Sequence, residues 1–159
     1  MRWSWVRSPP SAPCVMHSKS KGSLAELAVA SILIEEGWHV LFPFGENSRY
    51  DLVIEKGGQF LRVQVKYVTP KNGSLIVNCR SSNNWSVKSY TADEIDFIAA
   101  YDSHEKRAYF IPVSEINGNV VTLRLSPTRN NQSINVRSAE YYSHLRVPGL
   151  SLDKISDFR

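Results

Sequence analysis

The chain has 159 residues, of which 42% are hydrophobic and 21% are charged. This length and composition suit one globular domain and exclude a collagen, a wholly disordered chain and a disulfide scaffold. No apolar run approaches the roughly 18 residues needed to cross a bilayer, so we expect no membrane span. Cys14 and Cys79 match no metal-ligand spacing, and a reducing, cytoplasmic setting is the default expectation.

The formal net charge of +4 comes from the first 22 residues, which hold four cations and no acid. The remaining 15 Lys and Arg are balanced by 15 Asp and Glu. Residues 56–92 nevertheless hold six cations and no acid, and residues 116–139 hold three cations and no acid. These two basic stretches are candidates for a surface that faces a polyanion, with solvated loops as the alternative.

The first predicted element is a helix over residues 23–37. Ser23 followed by Glu26 makes a capping-box pattern at its start, and a glycine stands at its end. The apolar stripe expected to face the core consists of Leu24, Leu27, Ala28 and Ile32. Residues 1–22 lack periodicity and an apolar signal region, so they are predicted to be a disordered arm, with Met16 as an alternative start.

Short apolar runs bounded by Gly, Pro, Asn and Ser predict strands after the helix. These strands are predicted over 38–42, 51–55, 60–68, 75–79, 95–101, 108–113 and 120–125. Polar loops are predicted over 80–92 and 126–137, and a short helix over 138–145. This order predicts an α/β domain over 23–147, with a mixed central sheet flanked by helices, before a tail over 148–159.

The pair Gly57–Gly58 between two strands predicts a two-residue hairpin turn. Residues that face one another across this hairpin have numbers that sum to 115, so Asp51 faces Gln64 and shares its side of the sheet. Strand alternation adds Lys66 to that side, diagonal to Asp51 and within reach of a long side chain. A register slip of one residue would destroy this arrangement.

A carboxylate, an amide oxygen and an ammonium so placed suit metal-assisted hydrolysis of a phosphodiester. Mg²⁺ (or Mn²⁺) prefers oxygen ligands and would polarise the phosphate and lower the pKa of a bound water. Asp51, Gln64 and the main-chain carbonyl of Val65 are the candidate ligands. Glu26 would add a second carboxylate if the first turn of its helix packs near Asp51. Lys66 would neutralise charge on the phosphate or position the water.

Each of these side chains also has an ordinary structural interpretation. Glu26 would then only complete the capping box, and Asp51 would cap a turn. Gln64 and Lys66 would lie on the solvent-facing side of an edge hairpin. Their joint placement, followed by a long basic stretch, favours the catalytic interpretation.

Three runs of the sequence carry a family resemblance: Gly22-Ser23 with Glu26, then Tyr50-Asp51-Leu52-Val53, then Val63-Gln64-Val65-Lys66. They resemble the PD-(D/E)xK nuclease superfamily, and within it the small endonucleases associated with group I introns. The likeness covers about residues 18–145 and is most specific in residues 43–51 and 62–66.

The resemblance implies a restriction-endonuclease-like core that cleaves DNA with a divalent metal. It makes Glu26 the helical acid, Asp51 the metal-binding aspartate and Lys66 the catalytic lysine. Gln64 stands where most of the superfamily has Glu or Asp, and Tyr50 stands where the superfamily name has Pro. A neutral amide should hold a metal ion more weakly, although the homing branch is similar in carrying Gln there.

DNA contacts are expected from the basic stretches and the polar loops. The candidates for phosphate contacts are Lys71, Arg80, Lys88, Arg124 and Arg129. The candidates for base-edge contacts are Asn83, Asn84, Asn130, Asn131 and Gln132. Trp85 and Tyr90 are candidates for stacking on bases, with packing inside the protein as the alternative.

The leading hypothesis is therefore a Mg²⁺-dependent endonuclease that cuts double-stranded DNA, with intron homing as the role that the resemblance suggests. One alternative is a Holliday-junction resolvase, or a restriction or repair nuclease, with the same core. Another alternative is a DNA-binding module that has lost its metal site. Cutting both strands of a duplex needs two active sites, so a homodimer or homotetramer is expected.

Overall fold

The computed structural model describes residues 16–45, 47–82, 87–126 and 136–147. In these ranges one α-helix, α1 (Ser18–Glu35), precedes nine strands, and two short 3-10 helices, Val113–Glu115 and Ala139–Tyr142, lie among and after them. The strands are β1 (His39–Leu41), β2 (Leu52–Lys56), β3 (Gln59–Val68), β4 (Ser74–Asn78), β5 (Arg80–Ser82), β6 (Val87–Ser89), β7 (Phe97–Asp102), β8 (Arg107–Pro112) and β9 (Val120–Arg124).

A mixed five-stranded sheet forms the centre of the fold, in the order β1-β2-β3-β7-β8. Its neighbours are antiparallel except β3 and β7, which run parallel. Parallel strands cannot be joined by a tight turn, so the chain leaves the sheet after β3 and returns at β7. The excursion carries β4, β5 and β6, and after β6 it brings Tyr90 to Lys66 of β3.

Each face of the central sheet carries its own hydrophobic core, because successive strand residues point to opposite faces. On one face, α1 packs Val29 and Leu33 against Ile54 and Val63. On the other face lies the two-stranded sheet that β9 forms with β4, which contributes Leu75 to the second core. The predicted α/β fold with a mixed central sheet is confirmed, and a small sheet covers the face opposite α1.

The helix α1 begins at Ser18, and His17 is its N-cap, so the prediction of Ser23 as N-cap was wrong. The Nδ1 atom of His17 accepts a hydrogen bond from the backbone N–H of Lys19 at 3.4 Å. Residues 18–22 are polar and carry no apolar periodicity, which is why the pattern alone began too late. Because Ser23 lies inside the helix, the capping-box explanation of Glu26 fails as well.

The buried face of α1 also differs from the predicted stripe. Leu27 is 63% exposed and Leu24 is 37% exposed, whereas Ala28 and Ile32 are half-buried. The fully packed positions are Ala25, Val29, Ala30 and Leu33. Apolar residues surround this helix on most sides, so several faces fit a period of 3.6 residues and the sequence alone does not choose between them.

The remaining differences concern short polar elements. The predicted loop over 80–92 contains β5 and β6, which are three-residue strands too short to give a periodic signal. The predicted helix over 138–145 is reduced to the 3-10 helix Ala139–Tyr142.

Residues 1–15 and 148–159 lie outside the described residues, and the predicted domain limits stay a prediction. Within the described ranges, no helix is long and apolar enough to span a membrane.

Leu33 on α1 is fully buried, so we expect Leu33→Ala to lower the free energy of unfolding by about 2–5 kcal/mol through lost burial and a residual cavity. Leu27→Ala removes the same atoms from the exposed side of the same helix and should change it by less than about 1 kcal/mol. Chemical denaturation of both variants measures the difference. Equal losses would show that α1 does not pack by the face described.

Candidate active site

The β2–β3 hairpin has the predicted register. Lys56 pairs with Gln59 across the turn, and the pairing continues to Leu52 and Val63. Gly57 and Gly58 have φ angles of 61° and 81°, the left-handed region that glycine enters without a steric penalty. The turn therefore determines which side chains of β3 lie beside the residue that precedes β2.

That residue is Asp51, and β3 holds its carboxylate. Its Oδ2 atom accepts a hydrogen bond from the backbone N–H of Val65 at 2.7 Å and a second from Nε2 of Gln64. The backbone N–H of Asp51 donates to the carbonyl of Val63 at 3.0 Å. Asp51 thus bonds to a neighbouring strand, not to its own turn, and the predicted pairing of Asp51 with Gln64 is present.

Gln64 meets Asp51 through its amide nitrogen. Nε2 donates to the Asp51 carboxylate and, at 3.3 Å, to the carbonyl oxygen of Val65. A carboxylate at this position would have no proton to donate and would repel Asp51. In this arrangement Gln64 stabilises the aspartate, and its Oε1 atom becomes available to a cation near Asp51 only when the amide is turned over.

Lys66 lies on the same side of β3 as Gln64, as alternation requires. Its Nζ atom donates a hydrogen bond to the hydroxyl oxygen of Tyr90 at 3.0 Å. The positive charge is close enough to Asp51 to lower the pKa of that carboxyl group. The predicted trio of Asp51, Gln64 and Lys66 therefore lies in one half-buried patch.

Glu26 reaches this patch from α1, on the opposite side of the sheet. Burial raises the pKa of Glu26, and the negative charge of Asp51 raises it further. Burial also raises the pKa of Asp51, against the smaller lowering effects of the Val65 N–H, Lys66 and Gln64. Two partly buried carboxylates thus lie within electrostatic reach of each other, and the repulsion between them is only partly offset.

These groups fit a hard divalent cation by their chemistry. Two crowded carboxylates lose their mutual repulsion when a cation lies between them, and Mg²⁺ and Mn²⁺ prefer oxygen ligands. Oδ1 of Asp51 accepts no hydrogen bond from the described residues, because both bonds go to Oδ2. No group of three or more His, Cys, Asp or Glu side chains is gathered in the described ranges. A metal here would therefore also need amide or main-chain oxygens.

Arg49 is a second cation beside the site, after Lys66, and the sequence did not predict its contacts. Its guanidinium forms two hydrogen bonds with the Glu94 carboxylate, at 3.0 and 3.1 Å, and a further bond to Ser81 Oγ. It also stacks against Tyr90, with 4.9 Å from Cζ to the ring centroid. Arg49 lies two residues before Asp51, but its contacts come from residues 32 to 45 positions away, which no local pattern predicts.

The predicted phosphate contacts fall into separate places. Arg80 and Lys88 lie on the β5–β6 hairpin, which also carries Ser81, a partner of Arg49. Lys71 and Arg124 lie at the other end of β4, where Ser74 pairs with Arg124 of β9 and forms an isolated bridge with Lys71. Arg124 is half-buried and donates to Ser74 Oγ at 3.2 Å, so it already has a structural contact.

The other predicted DNA contacts lie outside the described residues. They are Asn83, Asn84, Trp85, Arg129, Asn130, Asn131 and Gln132. Tyr90 is described and buried at 9% exposure, so it packs within the protein.

A family model described as PD-(D/E)XK endonuclease matches residues 16–145, which is most of the chain. The chain belongs to the PD-(D/E)XK endonuclease family. The mixed sheet with α1 on one face agrees with the fold of that family, and the chain is accordingly a nuclease. The predicted superfamily is thereby confirmed.

Solved structures similar to this PD-(D/E)XK chain include the bacterial homing endonuclease I-Ssp6803I. That match has a TM-score of 0.63 and 29% identity, and it covers 79% of this chain and 87% of the other. A Holliday junction resolvase, Hjc from Archaeoglobus fulgidus, matches with a TM-score of 0.42 and 17% identity over 80% of this chain and 100% of the other. The second likeness is too weak to support a conclusion. A search of curated proteins finds no match.

The raised pKa of Asp51 predicts a gain in stability when its charge is removed. An acid whose pKa is higher in the folded chain binds its proton more tightly there, so its ionised form costs stability above that pKa. We therefore expect Asp51→Asn to raise the free energy of unfolding at pH 7. The gain should disappear at about pH 3, where the carboxyl group is protonated in both states.

Thermal unfolding at both pH values, without metal, measures this effect. Asp93→Asn is the matched control, because the side chain of Asp93 is exposed and the substitution should shift stability little. A loss of stability in Asp51→Asn at pH 7, larger than the control, would contradict the assignment of burial as the dominant influence.

Proposed function

We propose that the protein is a DNA endonuclease that depends on a divalent metal ion, Mg²⁺ or Mn²⁺. The observation that carries this proposal is the position of Asp51, fixed on Val65 N–H and Gln64 with Glu26 and Lys66 in electrostatic reach. Family membership supports the same chemistry. A purely structural use of two partly buried acids would leave their repulsion only partly offset, which is costly for a fold.

In this proposal Asp51 and Glu26 would hold the ion, with the Val65 carbonyl and, once its amide is turned over, the Gln64 oxygen as further ligands. The bound ion would polarise the phosphodiester and lower the pKa of a water. Lys66 has a separate role, since its ammonium group neutralises negative charge that develops on the phosphate. Its position on β3, two residues from Gln64, aims it at the same patch without making it a ligand.

The substrate in this proposal is double-stranded DNA. The likeness to a bacterial homing endonuclease at 29% identity supports DNA as the substrate and homing as the role. Arg80 and Lys88, on the β5–β6 hairpin beside Arg49 and Tyr90, are proposed to contact phosphates along the approach to the site. A homodimer or homotetramer would supply the two sites that a double-strand cut requires.

One observation favours a second candidate function. Gln64 turns its amide nitrogen toward Asp51 and brings no negative charge. The site therefore has two carboxylates, Asp51 and Glu26, where an acid at position 64 would give it three. A DNA-binding module without catalysis would have such a site. It would bind DNA with a steep dependence on salt but would not cut it with any metal.

Cleavage assays on purified protein test the first function. With Mg²⁺ or Mn²⁺ and a mixture of genomic DNA, we expect the parent to nick or cut DNA, and Asp51→Ala and Lys66→Ala to lose at least about a hundredfold in rate, since each removes charge stabilisation of the transition state. Lys56→Met is the matched control, because Lys56 contacts the Glu36 carbonyl and Trp38 and not the site.

The variants must first be shown to fold, by circular dichroism and thermal unfolding. If Asp51→Ala and Lys66→Ala cut as fast as the parent, the site is wrong. If the parent binds DNA but never cuts it, the non-catalytic module is the better description. Comparing linear duplex with four-way junctions separates an endonuclease for duplex targets from a junction resolvase.

Replacing the amide by a carboxylate tests the metal-binding role of Gln64. We expect Gln64→Glu to bind Mn²⁺ about tenfold more tightly by calorimetry, an increment of about 1.4 kcal/mol. Without metal the same variant should unfold at a lower temperature, because the Nε2 hydrogen bond to Asp51 is replaced by repulsion. Unchanged or weaker binding of Mn²⁺ would show that residue 64 does not contact the ion. An unchanged melting temperature without metal would show that the Nε2 hydrogen bond to Asp51 does not stabilise the metal-free protein.

A further inference from the structure

Tyr90 is the one described residue that contacts both cations around the site. It follows β6 and is buried, with 9% of its surface exposed. Its hydroxyl oxygen accepts a hydrogen bond from Lys66 Nζ at 3.0 Å, and its ring lies 4.9 Å from Cζ of Arg49. It therefore connects the lysine of β3 to the segment that leads into Asp51.

The ring of Tyr90 is fixed by its surroundings. It belongs to the second core, together with side chains of the small sheet and of β7 and β8. Arg49 packs against it and is itself held by two hydrogen bonds to Glu94 and by further bonds to Ser81 and the Ser89 carbonyl. The hydroxyl consequently lies at a defined place, although the residue belongs to no helix or strand.

The contact between Tyr90 and Lys66 runs through the hydroxyl group. The ammonium lies 3.0 Å from the oxygen but 5.1 Å from the ring centroid, so the oxygen is its nearest partner. Removing the hydroxyl alone breaks this hydrogen bond and leaves the ring available to Arg49. Tyr90→Phe is thus a minimal perturbation of the lysine.

Lys66 needs such a partner because its side chain is long and flexible. A lysine side chain carries about 2 kcal/mol of rotamer entropy, which must be overcome to hold its ammonium at one point. Asp51 does not hold it, since no ion pair within 4.0 Å joins these two described residues. An ammonium bonded directly to Asp51 would also compete with a metal ion for that carboxylate.

We propose that Tyr90 is a positioning residue that holds the Lys66 ammonium beside Asp51 but apart from it, where it meets a phosphate and leaves the carboxylate to the metal. The role of Lys66 toward phosphate rests on the function proposed above. The position of its ammonium does not, and it can be measured without cleavage.

The first experiment measures that position directly. The full chain, free of metal and DNA, is treated with a limiting amount of an amine-acylating reagent, and the modified lysines are quantified by mass spectrometry. We expect Tyr90→Phe to increase the acylation rate of Lys66 severalfold while Lys56 reacts as in the parent. Tyr141→Phe is the matched control, because Tyr141 is 51% exposed and lies outside the site. An unchanged rate at Lys66 in Tyr90→Phe would overturn the proposal, whether or not the parent cuts DNA.

The second experiment measures the consequence for catalysis by single-turnover cleavage with Mg²⁺ or Mn²⁺. We expect Tyr90→Phe to lower the rate about tenfold, which corresponds to about 1.4 kcal/mol, with the Kd for the same DNA in EDTA and the Mn²⁺ affinity unchanged. In a Lys66→Met background the same substitution should have no further effect, because the two residues act as one unit.

The outcomes separate the two proposals. A general structural role for Tyr90 would lower the rate equally in both backgrounds and would lower the melting temperature, and it would overturn the inference. A parent that does not cut DNA would contradict the proposed function, while faster acylation of Lys66 in Tyr90→Phe would still support the positioning role.

Discussion

The site depends on one hydrogen bond, from the backbone N–H of Val65 to Oδ2 of Asp51 at 2.7 Å. It joins the residue before β2 to the middle of β3, and it exists only in the register set by the diglycine turn. A slip of one residue would turn Gln64 and Lys66 to the face of the sheet that α1 covers. The turn at the far end of the hairpin thus fixes the relative positions of Asp51, Gln64 and Lys66.

The electrostatics of the site oppose the stability of the fold. Burial raises the pKa of both Asp51 and Glu26, so their ionised forms are disfavoured relative to an unfolded chain. Gln64 offsets part of this cost by donating a hydrogen bond where a carboxylate would add repulsion. An amide in the place of a carboxylate also leaves less negative charge for a cation. In the proposed metal-dependent nuclease, the amide would thus lower the affinity for metal while stabilising the metal-free protein. Acids with perturbed pKa values, such as Asp51 and Glu26, concentrate at functional sites.

The sequence alone predicted correctly those features of the site that neighbouring residues determine. Gly57–Gly58 specifies a tight turn, and with it the pairing of Asp51 with Gln64 and the side on which Lys66 lies. It was insufficient where packing decides. The buried face of α1 was chosen wrongly because apolar residues such as Leu27 occur on several of its sides.

The proximity of Glu26 to Asp51 was only a conditional prediction, since it requires the position of α1 on the sheet. The individual contacts of Tyr90 and Arg49 were not predicted, although packing of Tyr90 inside the protein was one of the two interpretations. These contacts depend on the polar stretch between β3 and β7. In that stretch β5 and β6 are three-residue strands, too short to give a periodic signal in the sequence. Long-range contacts between loops leave no periodic trace, so function-related residues on such loops are found by geometry.

The site also couples the two hydrophobic cores. Glu26 comes from the helix that packs on one face of the sheet, whereas Tyr90 and the contacts of Lys66 belong to the core on the other face. Asp51, directly before β2, is within electrostatic reach of Glu26 from one layer and of Lys66 on the other face. Neither core alone brings the acids and the lysine together. The complete site therefore needs both layers, because α1 brings Glu26 and the second core brings Tyr90 to the acid and the lysine that the β2–β3 hairpin holds together.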